Sequence, residues 1–456
     1  MQVQRISVFG LGKLGGCIAA ALASRGFQVI GYDVDKRKTE AVRQGLAPIE
    51  EPHLQETIEK AGSRLKATDE IQEAIQESDL SFFVPSTPSL PDGSFSNHFL
   101  IPALQSAAAV VEQKKKRHLF VVNSTLTPGT CDKILQPLLE KLLDGECGKD
   151  FGLCYNPEFI ALGDVIHGLL QPDFVLIGES DPLSGELLSE VYKKLNTNSP
   201  PIERMSNINA ELAKISLNCA VTMKISFVNQ LSGVCAKIPG ADPAVILRAI
   251  GKDRRIGLDY LKPGLGFGGP CFPRDNRLFQ YVAESVGVEA ALARATDTIN
   301  EDVNRRLMET VLVHCPERGS VGVLGLAYKP FTGVIDRSPG IWLCERLADA
   351  GRDVFAHDYL AGKSAASAFP TGRVRICPNP QEILQNGCQT LVLTCPWPAY
   401  KELLRSSVAQ LSDKRAVIVD PWRLLETVIP EFGDVRYITT LGSAAAGVAR
   451  ELVARV

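Results

Sequence analysis

The segment Gly264-Leu-Gly266-Phe267-Gly268-Gly269-Pro-Cys271-Phe-Pro-Arg274-Asp275 sets a thiol directly behind four glycines. Glycine lacks a Cβ, so such a loop lets backbone wrap closely around a ligand. A cationic neighbour favours the thiolate, the nucleophilic form of cysteine, and Arg274 stands three residues on. A buried structural cysteine fits the same residues, and spacing alone does not separate the two. A second constellation is Lys214 and Asn218, at i and i+4 of a helical stretch and so on one face. Side by side, an ammonium and an amide can donate to a developing oxyanion; a solvated helix surface is the plainer reading of the pair.

The chain also carries Gly10-Leu11-Gly12-Lys13-Leu14-Gly15 between a strand pattern and an alanine-rich helix pattern. In this arrangement the first glycine permits a tight turn and the second admits a pyrophosphate to the backbone. The third allows close helix–strand packing. The helix start then offers unpaired N–H groups to the anion. Asp33 closes the next strand 18 residues after Gly15, where a carboxylate can hold ribose hydroxyls, which favours NAD over NADP. Lys36, Arg37 and Lys38 follow it and keep NADP open. Two further strand ends are followed by polar turns, Ser124-Thr125-Leu-Thr-Pro128-Gly129-Thr130 and Tyr155-Asn-Pro-Glu158. Ligands of doubly wound sheets collect at such ends, and Glu158 is a candidate general base or water holder.

Several other features read as structural. The run Lys114-Lys-Lys-Arg117 has no interleaved aromatics and reads as a solvated surface turn. The six histidines form no metal-spaced cluster, and no metal is expected. Near the C-terminal end, Gly322 and Gly325 lack a third fingerprint glycine, and Leu326-Ala-Tyr-Lys329-Pro follows. That bulky loop suits no second NAD; Lys329 is either a point charge for a phosphate or a plain surface lysine.

The elements that must position these residues fall into three regions. Ile6–Phe9, Gln28–Tyr32, Leu80–Val84, Leu119–Val122, Phe151–Tyr155 and Phe174–Ile177 read as strands separated by helical stretches, a parallel doubly wound sheet to about residue 195. From Ser206 to about Lys237 only Gly233 interrupts a helical pattern, and more helix follows to about Arg306. A helix of that length exceeds the usual globular range and is expected to bridge domains. Strand and helix patterns then alternate again, with strands at Val321–Leu324, Val354–His357, Leu391–Thr394 and Ala416–Val419. The expected fold is α/β: two Rossmann-like doubly wound domains, 1–200 and 306–456, joined by a helical connector, 201–305, with a long central helix.

Composition is that of an ordinary soluble globular protein. Of 456 residues 45% are apolar and 22% charged, with a net charge of −3. A nucleic-acid binder would carry a basic excess, and no apolar run approaches the ~20 residues of a membrane helix. Twelve cysteines are scattered without a C-x-x-C pair, and the first residues run straight into a strand pattern. A cytoplasmic location with reduced thiols is therefore expected.

Taken in order, the motifs resemble the UDP-glucose/GDP-mannose dehydrogenase family, NAD-dependent enzymes that oxidise a nucleotide sugar to its uronic acid. The resemblance covers nearly the whole chain. It rests on Gly10–Gly15, Asp33, Pro48-Ile-Glu-Glu-Pro52, Thr87-Pro88, Ser124-Thr125 with Pro128-Gly-Thr130, and Asn156-Pro-Glu158-Phe. It continues through Ala210-Glu-Leu-Ala-Lys214 with Asn218, Arg255-Ile-Gly257, Phe267-Gly-Gly-Pro-Cys271 with Asp275, and Gly325-Leu-Ala-Tyr-Lys329-Pro. It implies a four-electron oxidation in which Cys271 captures the aldehyde as a thiohemiacetal that becomes a thioester. Lys214 and Asn218 would stabilise charge on oxygen, Asp275 would assist the water step, and Thr125 and Glu158 would position water or act as base. Gly10 to Gly15, Asp33, Lys38, Thr87, Thr125 and Arg274 would bind NAD. Glu158, Lys214, Asn218, Tyr260, Lys262, Gly264, Gly266, Phe267, Gly268, Gly269 and Lys329 would hold the nucleotide sugar. Arg255 would reach across a homodimer whose subunit contact is the long helix.

The chain departs from the family pattern at four places. Leu162 stands where a Glu is usual, and Arg274 replaces a Lys. After Lys329-Pro330 the chain reads Phe-Thr-Gly-Val-Ile-Asp336-Arg337, with Asp at the expected Arg position and Arg one later. An Asp-Gly-Arg motif appears as Asp420-Pro-Trp422-Arg423. UDP-glucose is the expected substrate, with GDP-mannose and a UDP-N-acetylhexosamine as alternatives. A two-electron β-hydroxyacid-type dehydrogenase and a non-catalytic nucleotide-sugar binder are the competing classes.

Overall fold

Short runs of four or five residues, most of them rich in branched or aromatic side chains and six of the eight followed directly by Gly, Asn or Asp, build the strands of the first half. They are β1 (Arg5–Phe9), β2 (Gln28–Tyr32), β3 (Leu65–Thr68), β4 (Leu80–Phe83), β5 (Leu119–Val122), β6 (Gly152–Tyr155), β7 (Val175–Glu179) and β8 (Ile202–Ser206). The computed structural model describes residues 3–114, 116–160, 162–316 and 319–441. The chain divides into two compact units, Met1–Leu217 and Asn218–Val456.

In the first unit the eight strands lie in the order β3-β2-β1-β4-β5-β6-β7-β8. Alternate side chains on a strand point to opposite faces, and both faces are covered. Val8, Val29, Phe82 and Val121 pack with the buried alanines of the helix Gly15–Ser24 on one side. Phe9, Phe83, Phe120 and Val122 pack with the helix Leu100–Lys114 on the other. Two corrections to the sequence reading arise here. The pairing of β6 with β7 is antiparallel, so the sheet is not parallel throughout. The strand β8 lies beyond the expected end of the sheet and pairs in parallel with β7. Its sequence, Ile-Glu-Arg-Met-Ser, is half-buried and polar because it forms the sheet edge.

The run at Lys114 is also corrected. Lys114 ends a helix, and its ammonium is held by the carbonyls of Ile75 and Ser78, where burial lowers its pKa to about 8. Lys116 pairs with Asp79 at 2.7 Å, and Arg117 reaches Asp181 and Ser184. Lys115 lies outside the described residues.

The helix Asn207–Cys235 is 29 residues long, runs through Gly233, and carries Lys214 and Asn218. The second unit continues with the helices Pro243–Ile250, Phe272–Ser285 and Ala291–His314, the last of which runs on past Arg306. Six parallel strands follow: β9 (Ser320–Leu324), β10 (Asp353–His357), β11 (Val374–Ile376), β12 (Thr390–Leu393), β13 (Val417–Val419) and β14 (Arg436–Ile438), in the order β11-β10-β9-β12-β13-β14. Both sheets thus begin third-second-first and continue fourth-fifth-sixth, the doubly wound order whose ligand crevice lies where the winding reverses. Among the described residues no helix is long and apolar enough to cross a membrane.

Candidate active site

In the first unit the reversal point lies between β1 and β4, and Gly10 sits there. Its φ of 98° is a conformation only glycine adopts without strain, and its N–H donates to Tyr32 O at 2.8 Å. A Cβ on Gly15 would fall 1.8 Å from Gly10 O, whereas one on Gly12 would meet nothing within 4 Å. The turn therefore packs at its two ends and stays open in the middle, as a pyrophosphate requires. Lys13 is exposed; Leu11 is buried and Leu14 precedes the helix. Asp33 is 6% exposed, and its carboxylate accepts Leu11 N–H at 2.7 Å, Asp35 N–H at 2.8 Å and Lys38 Nζ at 3.0 Å. The basic triplet after it is spent on carboxylates: Lys36 on Asp69, Arg37 on Asp35, Lys38 on Asp33. The Arg37 hydrogen bonds hold the Asp35 carboxyl down at about 2. Each cation of that triplet has a carboxylate partner, and the acidic strand end fits NAD.

The next strand ends converge beside this turn. Thr87 Oγ1 donates to Thr125 O at 2.7 Å, and Ser124 Oγ donates to Pro85 O. Gly129 and Cys131 donate their N–H groups to Glu211, so the long helix braces the Thr125 turn. Asn123 Nδ2 donates to Asn156 O at 2.6 Å, which ties the end of β5 to that of β6. Lys214 is 6% exposed; its ammonium donates to Glu158 O at 2.6 Å and lies 4.7 Å from the centre of the Phe159 ring. Burial pushes the Glu158 carboxyl up to about 7, opposed by the Tyr192 hydroxyl and the Lys214 charge. Leu162 packs against the core beneath, a purely apolar contact.

In the second unit the thiol stands out by accessibility. Cys271 is exposed, whereas the other eleven cysteines are buried or half-buried. Burial pushes the Cys219 thiol up to about 12, away from nucleophilic use. Cys271 is the N-cap of the helix Phe272–Ser285, and its carbonyl accepts Arg274 N–H at 3.1 Å and Asp275 N–H at 2.9 Å. A helix start is where a thiolate is favoured. Asp275 is 3% exposed and accepts Asn218 Nδ2 at 2.5 Å, so two of the singled-out residues meet.

The glycine loop is clamped from three sides within this unit. Asn300 accepts Phe267 N–H at 2.7 Å and donates to Phe267 O at 2.9 Å. Gly269, at φ 83°, donates its N–H to Asp336 O at 2.8 Å, and the Tyr328 ring lies where its Cβ would be. Gly268 abuts Arg337 O, and Gly264 abuts the Trp422 ring. Lys329 therefore belongs to the loop that backs Gly268 and Gly269. Arg255, Tyr260 and Lys262 are exposed, with Arg255 paired to Asp253 at 2.7 Å. Arg423 is paired with Asp242 at 2.6 Å and with Glu426.

The sequence reading missed Asn300, Tyr328 and Tyr192. It also missed a third glycine at the second turn. Gly340 packs on Gly325 O as Gly15 packs on Gly10 O, and Gly325 N–H donates to His357 O as Gly10 N–H does to Tyr32 O. The available signal was the helix start after Ser338, ten residues later than in the first unit. Asp358 then takes the place of Asp33, accepting the N–H groups of Leu326 and Ala327. Among the described residues no group of His, Cys, Asp or Glu could hold a metal.

Comparison with known proteins places these features in one lineage. The UDP-glucose/GDP-mannose dehydrogenase family matches with its NAD binding domain over residues 4–196, its central domain over 208–302 and its UDP binding domain over 322–427. UDP-glucose 6-dehydrogenase AglM of Haloferax volcanii is 33% identical over 402 residues, 87% of this chain and 92% of the relative. GDP-mannose 6-dehydrogenase of Pseudomonas putida is 34% identical over 358 residues, 78% and 80% of the two chains. The solved structure of a UDP-glucose dehydrogenase from Pyrobaculum islandicum is 30% identical, with a TM-score of 0.86 over 97% of this chain and 98% of that one. With the dinucleotide turn, the acidic strand end and three matched domains in order, the chain belongs to the UDP-glucose/GDP-mannose dehydrogenase family and is an NAD-dependent nucleotide-sugar dehydrogenase.

Proposed function

We propose that the chain oxidises the primary alcohol at carbon six of the glucose in UDP-glucose to the uronic acid in two steps through a thioester on Cys271. The observation that carries this reading is the exposed thiol at a helix N-terminus, directly behind a loop whose backbone is clamped by the segment carrying Lys329. NAD, when bound at the Gly10–Gly15 turn, supplies the hydride acceptor for both oxidations. Carbon six first gives up one hydride to one NAD and its hydroxyl proton to Glu158, which leaves the aldehyde. The thiolate of Cys271 adds to the aldehyde carbon, and the resulting thiohemiacetal gives up a second hydride to a second NAD to become a thioester. Water then displaces the sulfur and releases the acid. Lys214 and Asn218 donate to oxygen as it gains charge. Glu158, with a carboxyl near 7, accepts the alcohol proton, and Thr125 orients the attacking water. Asp275, held by Asn218, assists the water step. The glycine loop, Tyr260, Lys262 and Lys329 bind the sugar diphosphate.

The three regions divide this work: 1–200 takes the cofactor, 201–305 the subunit contact, 306–456 the sugar nucleotide. Residues 442–456 of the last lie outside the described residues. The working assembly on this reading is a homodimer in the cytoplasm, where thiols stay reduced, and the product is a uronic acid nucleotide for polysaccharide synthesis. The relatives named for GDP-mannose supply the second reading, GDP-mannose as substrate.

The test is NADH release with UDP-glucose, GDP-mannose and the UDP-N-acetylhexosamines side by side. Two NADH per UDP-glucose are expected. One NADH indicates a two-electron dehydrogenase, and binding without NADH a non-catalytic binder. Cys271→Ala should abolish uronic acid formation, and undiminished product removes the thioester from the scheme.

A further inference from the structure

Tyr192, on the helix Pro182–Leu195, stands between two oxygens. Its Oη is 2.5 Å from Asn156 Oδ1 and 2.8 Å from Glu158 Oε1. The Asn156 side chain is oriented by its own donor, Nδ2 to Leu176 O at 2.9 Å, so Oδ1 is the acceptor that faces Tyr192, and it also accepts Asn123 Nδ2 at a longer 3.2 Å. A phenol has one proton to give and can accept as well. The shorter contact, to Asn156, takes that proton. A bare carboxylate at Glu158 would then face Tyr192 with two oxygens and no hydrogen between them, a costly arrangement away from water. A protonated Glu158 removes the conflict: it donates to Tyr192 Oη, and Tyr192 donates to Asn156.

The surroundings support the same count. Lys214 gives its hydrogen bond to the Glu158 backbone oxygen. The cavity wall on the Tyr192 side is Pro157, Gly168, Leu169, Phe174 and Leu176, all uncharged. Tyr192 and Lys214 are the titratable groups that bear on the carboxyl, and burial outweighs both.

We propose that Tyr192 is a positioning residue that places the proton of Glu158. In the resting protein it accepts from the neutral carboxyl while donating to Asn156, and it turns its hydroxyl to the carboxylate when that proton leaves. This rests on the reading of Glu158 as the proton acceptor of the reaction. The carboxylate is then the active form, and each turnover passes through both states by rotation about one C–O bond. No atom enters or leaves except the proton that Glu158 exchanges.

Infrared difference spectra between the protein and Glu158→Gln isolate the Glu158 carboxyl without recourse to activity. A neutral-acid band that disappears as pH rises through about 7 is expected. In Tyr192→Phe the carboxylate loses a charge-assisted donor, so the midpoint should rise by about one pH unit. In Asn156→Leu the tyrosine proton is released to Glu158, so the midpoint should fall by a similar amount. Equal or same-sign shifts overturn the proposal. Should Asn156→Leu fail to fold, the ζ-carbon resonance of Tyr192 decides, because it should titrate with Glu158 and stop doing so in Glu158→Gln. A resonance that ignores the Glu158 midpoint overturns the proposal. The acidic limb of kcat/KM separates the two readings: infrared shifts that it does not follow leave Tyr192 its role and remove Glu158 as the proton acceptor.

Discussion

A carboxyl held neutral by its surroundings affects folding as well as chemistry. The Glu158 carboxyl is raised from 4.5 to about 7 in the folded chain, mainly by burial. Between those values the folded state binds a proton that the unfolded state has released. The stability this contributes is full below about 4.5 and is lost as pH rises through about 7. Glu158→Gln does not titrate and keeps an N–H for Tyr192. The variant should therefore gain thermal stability relative to the parent between pH 5 and pH 8, by up to about 3 kcal/mol at 1.36 kcal/mol per pH unit. Melting curves at the two pH values check this, and a difference that shrinks with rising pH contradicts it. The same residue shows what spacing reveals. Glu158 was legible as a carboxylate at a strand end, but its proton is governed by Tyr192, 34 residues later, through a contact no local pattern announces.

At the scale of elements, the glycine loop holds its shape through partners from distant parts of the second unit. Asn300 closes both hydrogen-bonding groups of Phe267, and the Asp336 carbonyl fixes Gly269. Asn300→Ala removes two bonds worth about 1 kcal/mol each. On the proposed role of the loop, KM for the nucleotide sugar should rise about tenfold while KM for NAD stays put. Asn300→Asp, which keeps the acceptor and loses the donor, should fall between; initial-rate kinetics with each substrate varied in turn decides. An equal rise in both KM values would mean general destabilisation. The loop was legible because four glycines before a cysteine are rare; its clamp was not, because Asn300 lies 33 residues away on a helix that otherwise looks amphipathic. Strands announced themselves where they are buried on both faces, as β1, β4 and β5 are. The edge strand β8 and the three-residue β14 carry too few apolar residues to do so.

Across the whole molecule the two sheets share an order and a first turn, yet use them differently. Asp33 and Asp358 each close the second strand of their sheet and accept an N–H of the glycine turn. Asp358 is further occupied by Leu360 N–H, Ala361 N–H and Trp397 Nε1, so the second turn is bound inward, and its ten extra residues reach the glycine loop instead. Sequence comparison alone hid this repeat because those residues part Gly340 from Gly325. A further whole-molecule feature lies on the long helix, where Met223, Phe227 and Val234 are exposed at spacings of four and seven. Those spacings put the three on one helical face, and a contiguous exposed apolar patch is a candidate partner contact. On the proposed dimer, Phe227→Glu places a charge in the contact, and burying an unpaired charge is strongly unfavourable. Sedimentation equilibrium should show the parent chain at twice its 49.4 kDa mass and the variant shifted toward a single chain. Circular dichroism of the variant should match the parent, because Phe227 is 51% exposed and supports no core. A variant that keeps the parent's mass would move the subunit contact off this helix.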